Sequence, residues 1–332
     1  MKHALLLAAC LLASVPALAD DGSSELAAGG LVFTKNADIR MADEDLYISP
    51  VAVRIRFVFS NDGPDQDVTI AFPLPDLDLS WAYDMRAPGR MGRDPKNFVD
   101  FTTAVDGKSV PMQVEQRAFL KGREVTGDLR AAGLPINIGF TDDSALLRAL
   151  PAPKRAALVK AGLIYSSDSS AIPMWTVRTR YFWTQHFRHG QSIVIAHSYV
   201  PVTGVGQYTA DDGVHPLRSP QDAAWAKPFC MDAQAIALSA RMVWGQAPRA
   251  AGADQVLPRG FLAAAVTDYI LKTANTWKGA IGRFHLTLDK MDKNNLLSLC
   301  WPGELKPTGP TTAEFTAVGF TPTQDIHMLV LQ

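Results

Sequence analysis

The chain has 332 residues, 47% hydrophobic and 20% charged, a composition that excludes disordered, collagen-like and coiled-coil chains. Its 32 basic and 33 acidic residues give a formal charge of −1, which leaves no electrostatic footprint for nucleic acid or an anionic membrane. At about 100 to 200 residues per domain, two domains are expected, each able to bury its own core.

The first residues read as an export signal. Lys2 precedes an apolar run from Ala4 to Val15, followed by Pro16 and the triplet Ala17-Leu18-Ala19, so residues 1–19 are expected to be a signal peptide cleaved after Ala19. The run is shorter than the roughly 20 apolar residues a membrane-spanning helix needs, and no later segment reaches that length. Leu7-Ala8-Ala9-Cys10 also matches a lipobox, but cleavage there would leave Leu11 to Val15 on the mature protein. A periplasmic or secreted protein is expected, with no transmembrane segment.

The mature chain then alternates with period two. Val51, Val53, Ile55, Phe57 and Phe59 interleave with Ala52, Arg54, Arg56 and Val58, the pattern of a strand with one buried face. Asn61-Asp62-Gly63-Pro64 turns the chain, Val68 to Phe72 resumes it, and Pro73 and Pro75 stop it. A second hairpin runs from Phe98 to Val105, through Asp106-Gly107, and on from Val110 to Phe119. Between about 122 and 163 the composition becomes Ala- and Leu-rich. Three short helices are expected there, starting at Thr126, at Asp142 or Asp143, and at Pro151, with ends at Gly133, Leu150 and Gly162. Leu146, Leu147, Leu150, Leu158 and Leu163 should face inward. Alternation returns over Met174–Phe187 and Ser192–Val200.

Residues 204–228, rich in Gly, Pro and Asp, read as a linker or long loop. Asp232 can cap a helix to about Trp244. Strands follow at 266–275, 281–289, 296–301, 314–320 and 326–331. The expected architecture is therefore mainly β: an antiparallel β-sandwich over 20–203 with a helical insertion at about 122–163, then a smaller α+β domain over 229–332 with one preceding helix. Cys230 and Cys300, an even pair in an exported chain, read as a disulfide closing a long loop and contributing up to about 4 kcal/mol. The alternative is two buried free thiols.

Four stretches carry a resemblance: Glu25 to Ser49, the Phe-Pro-Leu-Pro-Asp segment at 72–76, Trp175 to Phe187, and Tyr269 to Lys290, with the late cysteine in Asn295 to Trp301. They resemble the bacterial family catalogued as domain of unknown function 4424, over essentially the whole mature chain. The resemblance implies an exported bacterial protein and carries over no catalytic residue. Residues 53–61, 72–75 and 105–110 also resemble the vault and inter-alpha-trypsin type β-sandwich module, which implies an interaction domain.

The search for chemistry assigns no catalytic residue, no metal site and no cofactor. GxSxG, HExxH, Walker and SxxK patterns do not occur. Gly107-Lys108-Ser109 lies on a hairpin, with Thr102 where a phosphate loop needs glycine, and Gly204-Val205-Gly206 reads as a turn. His186, His189 and His197 lie close in sequence, but the first two straddle a strand end and the third shares a packed face with Ile193, Ile195 and Tyr199. Carboxylates cluster at Asp43-Glu44-Asp45, at Asp76 and Asp78, and at Asp289 with Asp292, where turn and capping roles are expected. Trp175, Tyr181 and Trp183 share one face of a strand and form either core or a binding stripe for a sugar or peptide. The expected function is that of a non-catalytic envelope factor contacting a protein or a cell-wall glycan. The alternative is a carboxylate-dependent hydrolase of envelope polysaccharide.

Overall fold

Strand alternation builds most of the molecule. The computed structural model describes residues 22–27, 30–82, 94–138, 143–167, 170–209, 225–246 and 261–332; the expected signal peptide, with Cys10, lies outside them. In chain order the first strands are β1 (Gly22–Ala27), β2 (Gly30–Phe33), β3 (Ile39–Ser49), β4 (Ala52–Asn61), β5 (Gln66–Pro73) and β6 (Leu77–Asp78), then the turn α1 (Leu79–Ala82). Next come β7 (Thr102–Val105), β8 (Lys108–Ser109), β9 (Gln113–Leu120) and β10 (Arg123–Glu124), followed by helices α2 (Thr126–Ala131), α3 (Asp143–Arg148) and α4 (Ala152–Lys160). The chain returns to strands with β11 (Ile164–Ser166), β12 (Ala171–Pro173), β13 (Thr176–Phe187), β14 (Ser192–Tyr199) and β15 (Gly204–Tyr208), then helix α5 (Ala233–Gln246). It ends with β16 (Leu262–Tyr269), β17 (Ile281–Asp289), β18 (Leu296–Ser298), β19 (Lys306–Pro307), β20 (Thr312–Phe320) and β21 (Ile326–Leu331).

Two large sheets enclose the main core. One runs β10-β9-β13-β5-β1-β2, with β6 also on β13; the other runs β19-β20-β17-β3-β4-β14-β7-β8. On β4 the expected alternation holds: Val53, Ile55, Phe57 and Phe59 are buried while Arg54 and Arg56 are exposed. Across the gap Phe101 stacks on Tyr181 with centroids 4.5 Å apart, and Phe72 lies against Phe101 at 4.8 Å. Each such aromatic pair adds to the stabilisation from area burial alone. The turn at Asp106-Gly107 forms with φ of 48° and 76°, the two left-handed positions that a tight two-residue turn demands, but it joins β7 only to the two-residue β8; the expected second strand, as β9, crosses to the other sheet and pairs with β13.

The helical insertion forms and closes as expected at Gly133 and Gly162, both at positive φ. Leu147, Leu158 and Leu163 are buried and Leu150 packs half-buried, but Leu146 stays 37% exposed. Thr126 does not cap α2. Its hydroxyl accepts the amide of Ala118 at 2.9 Å instead, and Val125 holds the cap position.

The expected division at 204–228 does not separate two sheets. β17 pairs in parallel with β3, from Arg283↔Asp43 to Leu288↔Ile48, so the C-terminal stretch completes the sandwich of the N-terminal one. The physical reason is a shared buried face: Leu46 and Ile48 of β3 and Phe284, Leu286 and Leu288 of β17 enter the same core. At this junction β3 carries an irregularity between Met41 and Asp43, and a Cβ on Gly282 would meet the carbonyl oxygen of Ala42 at 2.4 Å. Only glycine admits so close a backbone.

Within the expected linker, Gly204–Tyr208 is β15 of a third sheet, β15-β16-β21-β18, and Ala226 is buried, with Phe229 just beyond the linker, in one cluster with α5. Residues 210–224 lie outside the described ones. This sheet is buried on both faces. Ile326, Met328 and Val330 enter the main core, while Leu329 and Leu331 join Ile236, Ala240 and Val243 of α5 in a second one. The strand expected over 266–275 gives way at Tyr269 to a short 3-10 turn. Asp325 Oδ1 accepts the amides of Leu271 and Lys272 at 3.0 and 3.1 Å and bends the chain there.

Candidate functional site

The second core is where the surface opens. Asp232 Oδ1 accepts the amide of Ala235 at 2.7 Å, the expected N-cap of α5, which offers a first unbonded turn of amides to such an acceptor. Gln234, Ala235 and Leu238 then share one side of the helix. Opposite them the β19–β20 hairpin presents Pro307, Gly309, Pro310 and Ala313, and Leu296 and Leu297 of β18 form the floor. The open cleft measures about 500 Å³, within the usual range of ligand sites.

Both charged groups in its lining are engaged. Asp232 caps the helix, and Lys290 Nζ donates to the carbonyl of Lys293 at 2.9 Å. The rest of the lining mixes apolar side chains with Gln234, Asn295, Thr311 and Thr312, and Leu238 is held 45% exposed in it. An exposed leucine on a helix that buries its other face costs solvation unless something covers it.

The helix wall is tied covalently to the floor. Cys230, just before α5, is bonded to Cys300, just after β18, with Cα atoms 4.9 Å apart. Ser298 Oγ adds a hydrogen bond to the carbonyl of Phe229 at 2.9 Å. The bridge therefore fixes the start of α5 against the exit of β18.

The other sequence candidates disperse. Trp175, Tyr181 and Trp183 are 0%, 1% and 4% exposed, so the possible binding stripe is core and offers no surface to a ligand. Trp175 Nε1 donates to the carbonyl of Ile136 at 2.8 Å and Tyr181 donates to that of Lys96 at 3.0 Å. Burial pushes the Tyr181 hydroxyl far above its ordinary range. The histidines separate as well: His186 Nδ1 lies 2.7 Å from Asp67 on a strand end, and His189 Nδ1 donates to the carbonyl of Gly63 at 2.8 Å. His197 is buried among Phe57, Phe72, Phe101 and Trp183, with Nδ1 3.0 Å from Thr103 Oγ1. Among the described residues no group of three or more His, Cys, Asp or Glu is arranged to hold a metal.

Of the carboxylates, Asp43 and Asp45 face outward on β3 while Glu44 is fully buried between Phe57 and Phe284 of its neighbours. Asp43 holds Arg283 at 2.5 Å, which raises that guanidinium's pKa. Asp45 and Glu314 meet the two nitrogens of His285 at 3.1 and 3.3 Å, so an imidazole stands between the pair. Asp289 accepts the hydroxyl of Tyr47 at 2.8 Å and the amide of Met291 at 2.8 Å, and Asp292 accepts that of Asn294 at 2.8 Å, as turns require. Asp78 caps Ser80, and Asp76 pairs with Arg178 at 3.0 Å.

Sequence reasoning missed the cleft because its lining is ordinary: prolines, threonines and leucines from three separated stretches. The available signal was Pro307 and Pro310 around a four-residue turn, next to an amphipathic helix with one leucine off its buried face. No described helix is long and apolar enough to cross a membrane.

Comparison with known proteins gives one family and distant structural likenesses. The family described as "Domain of unknown function (DUF4424)" matches residues 19–329. No curated protein matches the chain. A solved structure of a "putative nutrient binding protein" from Legionella pneumophila is similar at 14% identity and a TM-score of 0.40, over 90% of this chain and 68% of that one.

Proposed function

We propose, from the premise that this chain belongs to the DUF4424 family, a family named for its unknown function, that it is an exported envelope protein that binds a partner protein without chemistry of its own. The observation that carries this reading is the cleft between α5, β18 and the β19–β20 hairpin, about 500 Å³ in volume, with its helix wall tied to its floor by a disulfide. Prolines and leucines interleaved with Gln234, Asn295, Thr311 and Thr312 suit a polypeptide segment of mixed character better than a glycan, which aromatic platforms, not found in this lining, would serve.

Export is supported by the apolar run from Ala4 to Val15 with the Ala17-Leu18-Ala19 triplet after it, and by the disulfide, which persists in oxidising compartments. The alternative of a carboxylate-dependent hydrolase finds less support. Asp45 and Glu314 have the His285 ring in the space that a sugar and an attacking water would need.

The test places a photo-cross-linking amino acid at Leu238 in the exported protein in cells, with a control at Lys121, which is exposed on the β9–β10 turn. Repeated capture of one envelope protein from Leu238 and not from Lys121 is expected. Adducts to glycan alone, or hydrolysis of purified cell-wall polymer that disappears on Asp45→Asn or Glu314→Gln, would overturn the reading.

A further inference from the structure

A second surface stands on main-chain geometry. β20 lies next to the rim of the eight-stranded sheet, and β19 covers only its first part, through Pro307↔Ala313 and Lys306↔Glu314. The amide of Thr308 donates to the carbonyl of Thr312 at 3.0 Å. In an antiparallel ladder the bonding direction repeats every second residue. Thr312 and Glu314 therefore turn their main-chain groups toward β19, and Thr316 and Val318 turn theirs the same way. Ala313, Phe315 and Ala317 turn to β17, opposite Leu288, Leu286 and Phe284. Pro307 agrees with this parity, since it stands at the rung where no amide is needed.

Beyond Glu314 the neighbouring lane empties. An opening of about 360 Å³ is lined by Glu304 and Lys306 on one side and Phe315 and Thr316 on the other, and no described strand pairs with residues 316–320 on the side away from β17. Val318 is 86% exposed. Sheets blunt their edges with lysine, proline or a covering element, and Thr316-Ala317-Val318 carries none of these.

We propose that this open edge of β20 docks an extended polypeptide segment of a partner protein, which adds antiparallel to β20 along the lane that β19 begins. The occupant is a polypeptide because donor and acceptor alternate along the edge at two-residue spacing, which another main chain matches rung for rung. Its charge is read from the opening, whose lining carries two carboxylates, that of Glu304 and that of Glu314, the latter also bonded to His285 and Thr308, against the single ammonium of Lys306. A basic side chain fits opposite Thr316. The adjoining residue turns to the other face of the sheet, where Phe320 stacks on Phe284 with centroids 4.6 Å apart beside half-buried Trp301, and there an apolar side chain fits. The site is separate from the cleft and does not depend on it.

The test selects a displayed library of random linear peptides on the full mature protein. The expected winners alternate basic and apolar residues and slow hydrogen exchange at the amides of Thr316 and Val318. Val318→Pro removes an outward amide while leaving the ladder to β17 intact. It should weaken winning peptides about tenfold, the worth of about one hydrogen bond, whereas Val318→Ala, which keeps the amide, should weaken them less. Should Val318→Pro fail to fold, the exchange pattern of the unmodified protein decides. Peptides that leave both amides unprotected, equal binding to all three proteins, or no winners would overturn the proposal. So would a dimer in sedimentation that protects these amides without peptide, since the occupant would then be a second copy.

Discussion

The two cores of this protein are held together differently. The main one lies between large sheets whose walls come from every part of the chain, and it is closed by interleaved aromatics. The second lies between one helix and a four-stranded sheet, is smaller, and is stitched by Cys230–Cys300. Small cores lean on covalent or other staples because they bury less surface per residue. The difference teaches where to look for function: a core closed on all sides has nothing to offer a ligand, while a helix braced on a sheet leaves a border, and the cleft is that border.

The comparison is tested most severely in the main core. Trp175 is fully buried, and its indole nitrogen ties the insertion at Ile136 to the start of β13. Its backbone carbonyl also accepts the amide of Leu79. Trp175→Ala should cost about 3–5 kcal/mol, from lost transfer energy and an uncollapsed cavity. Chemical denaturation of the two proteins would measure it. A loss under about 1 kcal/mol would mean the insertion is not part of the main core's cooperative unit.

The staple comes next. Replacing both cysteines by serine should cost up to about 4 kcal/mol on the chain-entropy account, and less to the extent that the open loop keeps structure. The location of the effect is the sharper outcome. Amide exchange should quicken along α5 and β18 and stay unchanged in β13 and β4, and cross-linking from Leu238 should fall. Uniform quickening across both cores would show that the two units unfold only together.

The sequence announced period-two elements well where one face is buried and the other wet. β4, β13, β14 and β17 all have that character, and each was legible to within about two residues, the usual uncertainty of element ends. β3 was not. Its alternation is broken by the irregularity at Met41/Asp43 and by Glu44, a charged residue on the inward face. β21 was found by its apolar run, but its two-sided burial was not, because Met328, Leu329, Val330 and Leu331 read the same whichever faces they fill. The parallel pairing of β3 with β17 spans more than two hundred residues. Local pattern carries no information about such a partner, and the expected domain boundary missed it for that reason. The disulfide was legible from cysteine arithmetic alone. The cleft was not, since no single stretch holds more than part of its wall.

The smallest effect lies on the strand the two cores share. On β21, Leu329 and Leu331 face α5, and His327 has the same parity, yet it is exposed where the helix no longer covers the sheet. Its Nδ1 lies 2.9 Å from Asp268 on β16, and this hydrogen bond raises the imidazole pKa from 6.5, against the opposing effects of partial burial and Lys272 and with a further push from Asp325. A histidine whose folded pKa exceeds its unfolded value stabilises the native state fully below the unfolded pKa, and the gain disappears as pH rises through the folded one. His327→Gln should therefore lower the melting temperature at about pH 5 and leave it nearly unchanged at about pH 8. The side chain is 61% exposed, so solvent screening keeps the difference small, of the order of an exposed ion pair. An equal loss at both pH values would assign His327 a packing role at the border of the second core, and a larger loss at the higher pH would reverse the sign argued from Asp268.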